Sequence, residues 1–125
     1  MNGDPHAGQP VATAGRPLRS AAAVMILLHG RGGSADDILS LARELDHPGF
    51  AYLAPQAAGF TWYPQRFTAA LTANEPHLTS ALKVVHGLLG TAESAGIRTD
   101  NIVLVGFSQG ACLTLEFAAR NASRY

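Results

Sequence analysis

Three unbroken apolar runs divide the chain: Ala23-Val24-Met25-Ile26-Leu27-Leu28, Phe50 to Ala54, and Ile102 to Val105. None alternates with polar residues. Short runs rich in Val, Ile and Leu predict strands buried on both faces, the pattern of a parallel sheet. Between and after them the apolar positions change to helical spacing. Ser34 with Asp37 three residues on predicts a capped helix start, and Ile38, Leu41, Ala42 and Leu45 share one face of that helix. Pro76 suits the first turn of a longer helix with the stripe Leu78, Leu82, Val85, Leu89 and Ala92. Gly87 and Gly90 weaken it, and Gly96 is placed to cap its end. A third helix is predicted from Gln109 to about Asn121. Ahead of these elements, Pro10 to Ala14 predicts a short edge strand, with a turn at Gly15-Arg16-Pro17. Residues 1 to about 8 read as disordered. Residues 56 to about 73 form a long loop holding Trp62, Tyr63 and Phe67.

The order strand, helix, strand, helix, strand, helix predicts an α/β fold, a mostly parallel open sheet flanked by helices. Residues 1–20 read as a flexible N-terminal extension with the edge strand, and residues 21–125 as the domain proper. Ligands of such sheets bind beyond the carboxyl ends of the strands. Two glycine-rich loops, 29–33 and 106–110, follow strands at that end. They should face one crevice.

Composition narrows the function classes. Of 125 residues, 47% are hydrophobic and 14% charged, which is globular rather than disordered. The formal net charge is zero, so no basic field points to nucleic acid or an anionic membrane surface. The longest apolar run, Ala21 to Leu28, falls far short of the roughly 20 residues a membrane span needs. One cysteine excludes an internal disulfide, and residues 1–20 lack the apolar core of a signal peptide. A cytoplasmic protein is expected. The five histidines show no ligand spacing, so no metal site is expected.

The stretch Gly106-Phe107-Ser108-Gln109-Gly110 carries the chemistry. A Gly-x-Ser-x-Gly between a buried strand and a helix predicts a nucleophile elbow, a turn so tight that the serine hydroxyl stands clear of the sheet. Acyl transfer to such a serine puts negative charge on the former carbonyl oxygen, and that charge needs preorganised donors. The N–H of Gln109 is one candidate and the N–H of Arg31, between Gly30 and Gly32, the other. A general base is missing. Residues 109–125 hold no Asp and no His. Their single carboxylate, Glu116, lies about 12 Å of helical rise from Ser108, too far for a hydrogen-bonded relay.

His29-Gly30-Arg31-Gly32, Ala54-Pro55-Gln56, Trp62-Tyr63-Pro64 and Gly106-Phe107-Ser108-Gln109-Gly110 together resemble the phospholipase/carboxylesterase family of α/β-hydrolases, which includes acyl-protein thioesterases. The resemblance covers about Val24 to Tyr125. It implies an α/β-hydrolase fold, esterase or thioesterase activity on small or acyl-chain substrates through an acyl-enzyme, and no cofactor. It also implies a triad Asp and then a His beyond the serine, on further strand–helix units of roughly 30 residues each. The chain stops before both. It therefore reads as the N-terminal half of such a sheet, ending before the last strands. The alternative is a non-catalytic truncated fragment or a half-domain that depends on a partner.

Several residues carry two readings. His29 could be a base near the crevice or could pin the loop through its ring nitrogens. Trp62 could line the substrate pocket or anchor its loop. His6, His47, His77 and His86 read as surface residues. Cys112, one turn after Ser108, reads as a buried packing residue rather than a reactive thiol. Asp36 and Asp37 read as helix-capping residues rather than a metal pair.

Overall fold

A computed structural model describes residues 4–44, 48–64 and 74–120. Its strands are β1 (Val11–Gly15), β2 (Ala23–Leu28), β3 (Phe50–Pro55) and β4 (Ile102–Gly106), and its helices α1 (Ala35–Glu44), α2 (His77–Ser94) and α3 (Gln109–Arg120). They form one sheet in the order β1-β3-β2-β4. β2 runs parallel to both β3 and β4, while β1 joins the edge antiparallel to β3.

The side chains of β2 divide by parity, as a pleated strand requires. Val24, Ile26 and Leu28 enter the core beneath α2 and α3 with Leu113 and Phe117, whereas Met25 and Leu27 pack under α1 with Ile38 and Ala42. A continuous apolar run is what two buried faces demand. β4 departs from this expectation. Ile102 is buried, but Val103 is 38% exposed, because α1 packs over β1, β3 and β2 instead.

The helix ends follow local chemistry. Ser34 Oγ accepts from Asp37 N–H at 3.1 Å, and Gln56 Oε1 accepts from Ala35 N–H at 2.8 Å, so two of the first amides of α1 are satisfied. Helix α2 closes in a Schellman motif. Gly96 has φ +92°, its N–H donates to Glu93 O, and the buried Ile97 donates to Ala92 O. On α1, Leu41 departs from the expected stripe and is exposed, while Ala35 takes a buried place. Leu45 and His47 lie outside the described residues, as does Phe67. Among the described residues, no helix is long and apolar enough to cross a membrane.

The N-terminal segment, read as flexible, packs here on the domain from Asp4 onward. Its His6 is 2% exposed, which corrects the surface reading. His77 is half-buried, and His86 is exposed as expected.

Gly87 and Gly90 sit on the exposed side of α2, where an added Cβ meets nothing within 4 Å. Gly87→Ala and Gly90→Ala are each expected to stabilise the fold by about 0.5–1 kcal/mol, since alanine loses less backbone entropy in a helix. Thermal melts should show Tm rising by about 2–4 °C for each. An unchanged or lower Tm would mean these positions are packed against something.

Candidate active site

β4 ends at Gly106 and α3 begins at Gln109, so the chain reverses from strand to helix within two residues. Ser108 carries that reversal at φ +56°, a left-handed conformation that a non-glycine residue adopts only under constraint. The constraint is visible in the flanking glycines. A Cβ on Gly106 would overlap the Gly110 carbonyl, and one on Gly110 would overlap the backbone carbonyl of Leu28 at the end of β2. Helix α3 is thus seated directly on strand β2. Ser108 is exposed, and Phe107 beside it is 67% exposed.

The loop after β2 meets this turn. A Cβ on Gly30 would lie 3.1 Å from Phe107 O and 3.3 Å from Ser108 Cβ, so the two glycine-rich loops face each other as their positions at strand ends require. The carbonyl of Gly30 is held from two sides, by His29 Nδ1–H at 2.7 Å and by Gly33 N–H at 3.0 Å. In a planar trans peptide the N–H points opposite to the C=O. Clamping that carbonyl therefore turns the Arg31 N–H away from the His29 ring. Gly32 N–H is taken up by Phe60 O at 2.7 Å. The Gln109 N–H opens α3, where the first amides have no intrahelical acceptor.

His29 is 1% exposed and fully engaged. Its Nε2 accepts from Ala57 N–H at 3.0 Å, which places the ring proton on Nδ1, the donor to Gly30 O. Burial lowers its pKa, against the opposing pull of the Gly30 hydrogen bond. With both nitrogens occupied the ring has no lone pair to offer Ser108, and its hydrogen bonds are those of a residue that pins the loop.

Trp62 is wholly buried. Its indole stacks on His29 with centroids 5.1 Å apart, and its Nε1–H donates to His29 O at 2.9 Å. Of its two readings, the geometry is that of an anchor. Gln109 also uses its side chain. Its Oε1 accepts from Trp62 N–H at 2.7 Å and its Nε2–H donates to Tyr63 O at 2.9 Å. Arg31 reaches the same loop, donating to Tyr63 O and Pro64 O at 3.2 and 2.8 Å. Burial pushes the Tyr63 hydroxyl up to about 12. Cys112 is half-buried.

The sequence reading missed three residues of this network: His6, Gln56 and Thr61. Gln56 Nε2–H donates toward His29 Nε2 at 3.3 Å while its oxygen caps α1. Its place directly after Pro55 at a strand end was the available signal. Thr61 Oγ1–H donates to Gln109 Oε1 at 3.2 Å. Nothing in the local pattern marks Thr61.

The crevice opens beside α1 into a cavity of about 640 Å³, lined by Gly30, Arg31, Ile38, Leu41 and Phe107 among others. It has the place that a strand-end ligand site should have.

Comparison with known proteins places the family and the fold. The phospholipase/carboxylesterase family model matches residues 11–125. The crystal structure of a phospholipase/carboxylesterase from Dyadobacter fermentans DSM 18053 superposes with a TM-score of 0.91 at 44% identity, over 94% of this chain and 56% of that one. NocK of Nocardia uniformis subsp. tsuyamanensis, a proposed esterase, is 30% identical over 119 residues, which are 91% of this chain and 32% of the relative. Zea mays acyl-protein thioesterase 2 shares the fold, with a TM-score of 0.64 at 22% identity over 88% of this chain and 51% of that one. The chain thus spans about half the length of the two solved structures and about a third of NocK.

Proposed function

We propose that Ser108 is the nucleophile of a carboxylic ester or thioester hydrolase, on the premise that this chain belongs to the phospholipase/carboxylesterase family. The observation that carries this reading is the left-handed Ser108, exposed and facing the glycine loop of β2. Strain of that kind persists only where packing enforces it, and here it falls on an exposed serine beside Phe107, which lines the crevice.

The reaction takes two steps. Ser108 Oγ attacks the ester carbonyl carbon, its proton passes to a general base, and the carbonyl oxygen becomes an oxyanion. The N–H groups of Gln109 and Arg31 hold that charge. Both belong to backbone fixed by neighbours, so little reorganisation accompanies the charge as it forms. The tetrahedral adduct collapses to an acyl-serine as the alcohol or thiol leaves with a proton. Water then releases the acid by the same route. Neither His29 nor Glu116 can serve as the base, so the base and its orienting carboxylate are assigned to residues outside these 125. The substrate is a small-molecule or acyl-chain ester.

Active-site labelling tests this reading. A fluorophosphonate probe added to the complete protein should form one adduct, mapped to Ser108 by peptide mass spectrometry. An adduct on another residue, with Ser108 unmodified, removes Ser108 from the role.

A further inference from the structure

His6 reaches into the site from the N-terminal segment, ahead of the family match that begins at residue 11. It is 2% exposed and uses both ring nitrogens. Nδ1 accepts from Ala58 N–H at 3.0 Å, which leaves the proton on Nε2, the donor to Trp62 O at 2.6 Å. Its own N–H donates to Ser80 Oγ on α2 at 2.9 Å, and Ser80 Oγ–H in turn donates to Asp4. The segment is thereby tied to a buried helix face and to both ends of residues 58–62.

His29 repeats the arrangement from the other side. The adjacent amides of Ala57 and Ala58 are each accepted by an imidazole nitrogen, of His29 and His6 respectively. The two rings approach Trp62 at 5.1 and 5.2 Å. From Trp62 the network runs to both halves of the site, through Nε1–H to His29 O and through N–H to the Gln109 side chain. Phe60 O, inside the clasped segment, holds Gly32 N–H.

We propose that His6 is a positioning residue for the Ser108 site, locking residues 57–62 so that the His29 loop and the first turn of α3 keep their mutual geometry. The catalytic half of this statement rests on the serine-hydrolase reading; the clasp itself does not. His6 acts only when neutral, because protonation would abolish the Nδ1 acceptor. The titratable groups acting on it are Asp4 on its own segment, His77 at the start of α2 and His29 from the crevice loop. Burial dominates and lowers its pKa below 6.5, as it does for His29. The sign follows. Above pH 6.5 the neutral rings predominate in both folded and unfolded chains. As pH falls below that value the unfolded chain binds protons first, so the stability of the clasp is lost toward acid.

Trp62 is the single tryptophan of these 125 residues, and its emission, taken as the difference between the complete protein and its Trp62→Phe form, reports the clasp. At a pH near 8, His6→Ala should shift that emission to the red and lower kcat of the complete protein by about tenfold, with KM within about twofold, as expected for lost positioning. His6→Asn retains an acceptor at the Nδ1 position but cannot titrate. It should restore both readouts and, on acidification from about pH 8 to about pH 5.5, show at most about half the emission change of the wild type. His6→Ala with wild-type emission overturns the clasp. Shifted emission with wild-type kcat overturns the positioning role. An undiminished acid transition in His6→Asn also overturns the assignment to His6, and this arm stands even if His6→Ala fails to fold. If the wild type hydrolyses no ester, the serine-hydrolase reading fails with the positioning role, while emission still decides the clasp.

Discussion

Ser108→Ala in the complete protein lowers kcat/KM for p-nitrophenyl acetate by at least about a thousandfold, the loss expected when the attacking atom itself is deleted. The substitution removes one exposed oxygen and leaves the Cβ that already tolerates φ +56°. Packing of Gly106 and Gly110 is unchanged, so Tm should stay within about 2 °C of the wild type. Large loss of rate with intact stability separates chemistry from folding. The 125-residue chain alone provides the complementary control. Residues 109–125 hold no Asp or His, and His29 has both ring nitrogens engaged. That polypeptide should hydrolyse the ester no faster than its own Ser108→Ala form. A large Ser108-dependent rate in it would show that these residues contain a base.

Gly110→Ala carries the largest expected effect on stability. The new Cβ would overlap the carbonyl of Leu28 and lie 2.7 Å from that of His29, and neither is a flexible side-chain end that can swing aside. Relief requires α3 to lift from β2, which breaks the contact of Leu113 and Phe117 with Ile26 and Leu28. We expect a loss of at least about 4 kcal/mol, a large part of the 5–15 kcal/mol typical of a folded domain. Urea unfolding followed by circular dichroism measures it. The contrast with Gly87→Ala sharpens the test, because the same chemical change on α2 should stabilise. A Gly110→Ala protein within about 1 kcal/mol of wild type would mean that the elbow is looser than its geometry states.

Local rules made the strands, the three helices and the elbow legible. The runs 23–28 and 50–54 are apolar because both faces are covered, and the elbow glycines are required by contacts one turn away. Position in the sheet was less legible. Antiparallel β1 beside β3 was expected only as an edge, because pairing order depends on contacts distant in sequence. Val103 resembles a buried strand residue by neighbourhood, yet no local signal says how far α1 extends across the sheet. His6 was the hardest to foresee. A histidine among Gly, Pro and Ala reads as solvent-exposed, and its burial depends on Ala58, Trp62 and Ser80, each more than fifty residues away. Spacing alone leaves Trp62 open between pocket and anchor for the same reason. Its indole N–H finds a partner in the carbonyl of His29, a pairing invisible to spacing.

The two amides assigned to the oxyanion belong to peptide units, and the groups that aim them are carbonyls, imidazoles and a carboxamide behind the crevice. Phe107, by contrast, lies within the elbow but projects its ring into solvent at the lip of the cavity. The hydrogen bonds through Phe107 are made by its backbone, to Leu28 O and from Gly110 N–H, and do not depend on the ring. On the hydrolase reading proposed above, ester preference would be set by this lip residue, apart from the backbone that holds the two amides.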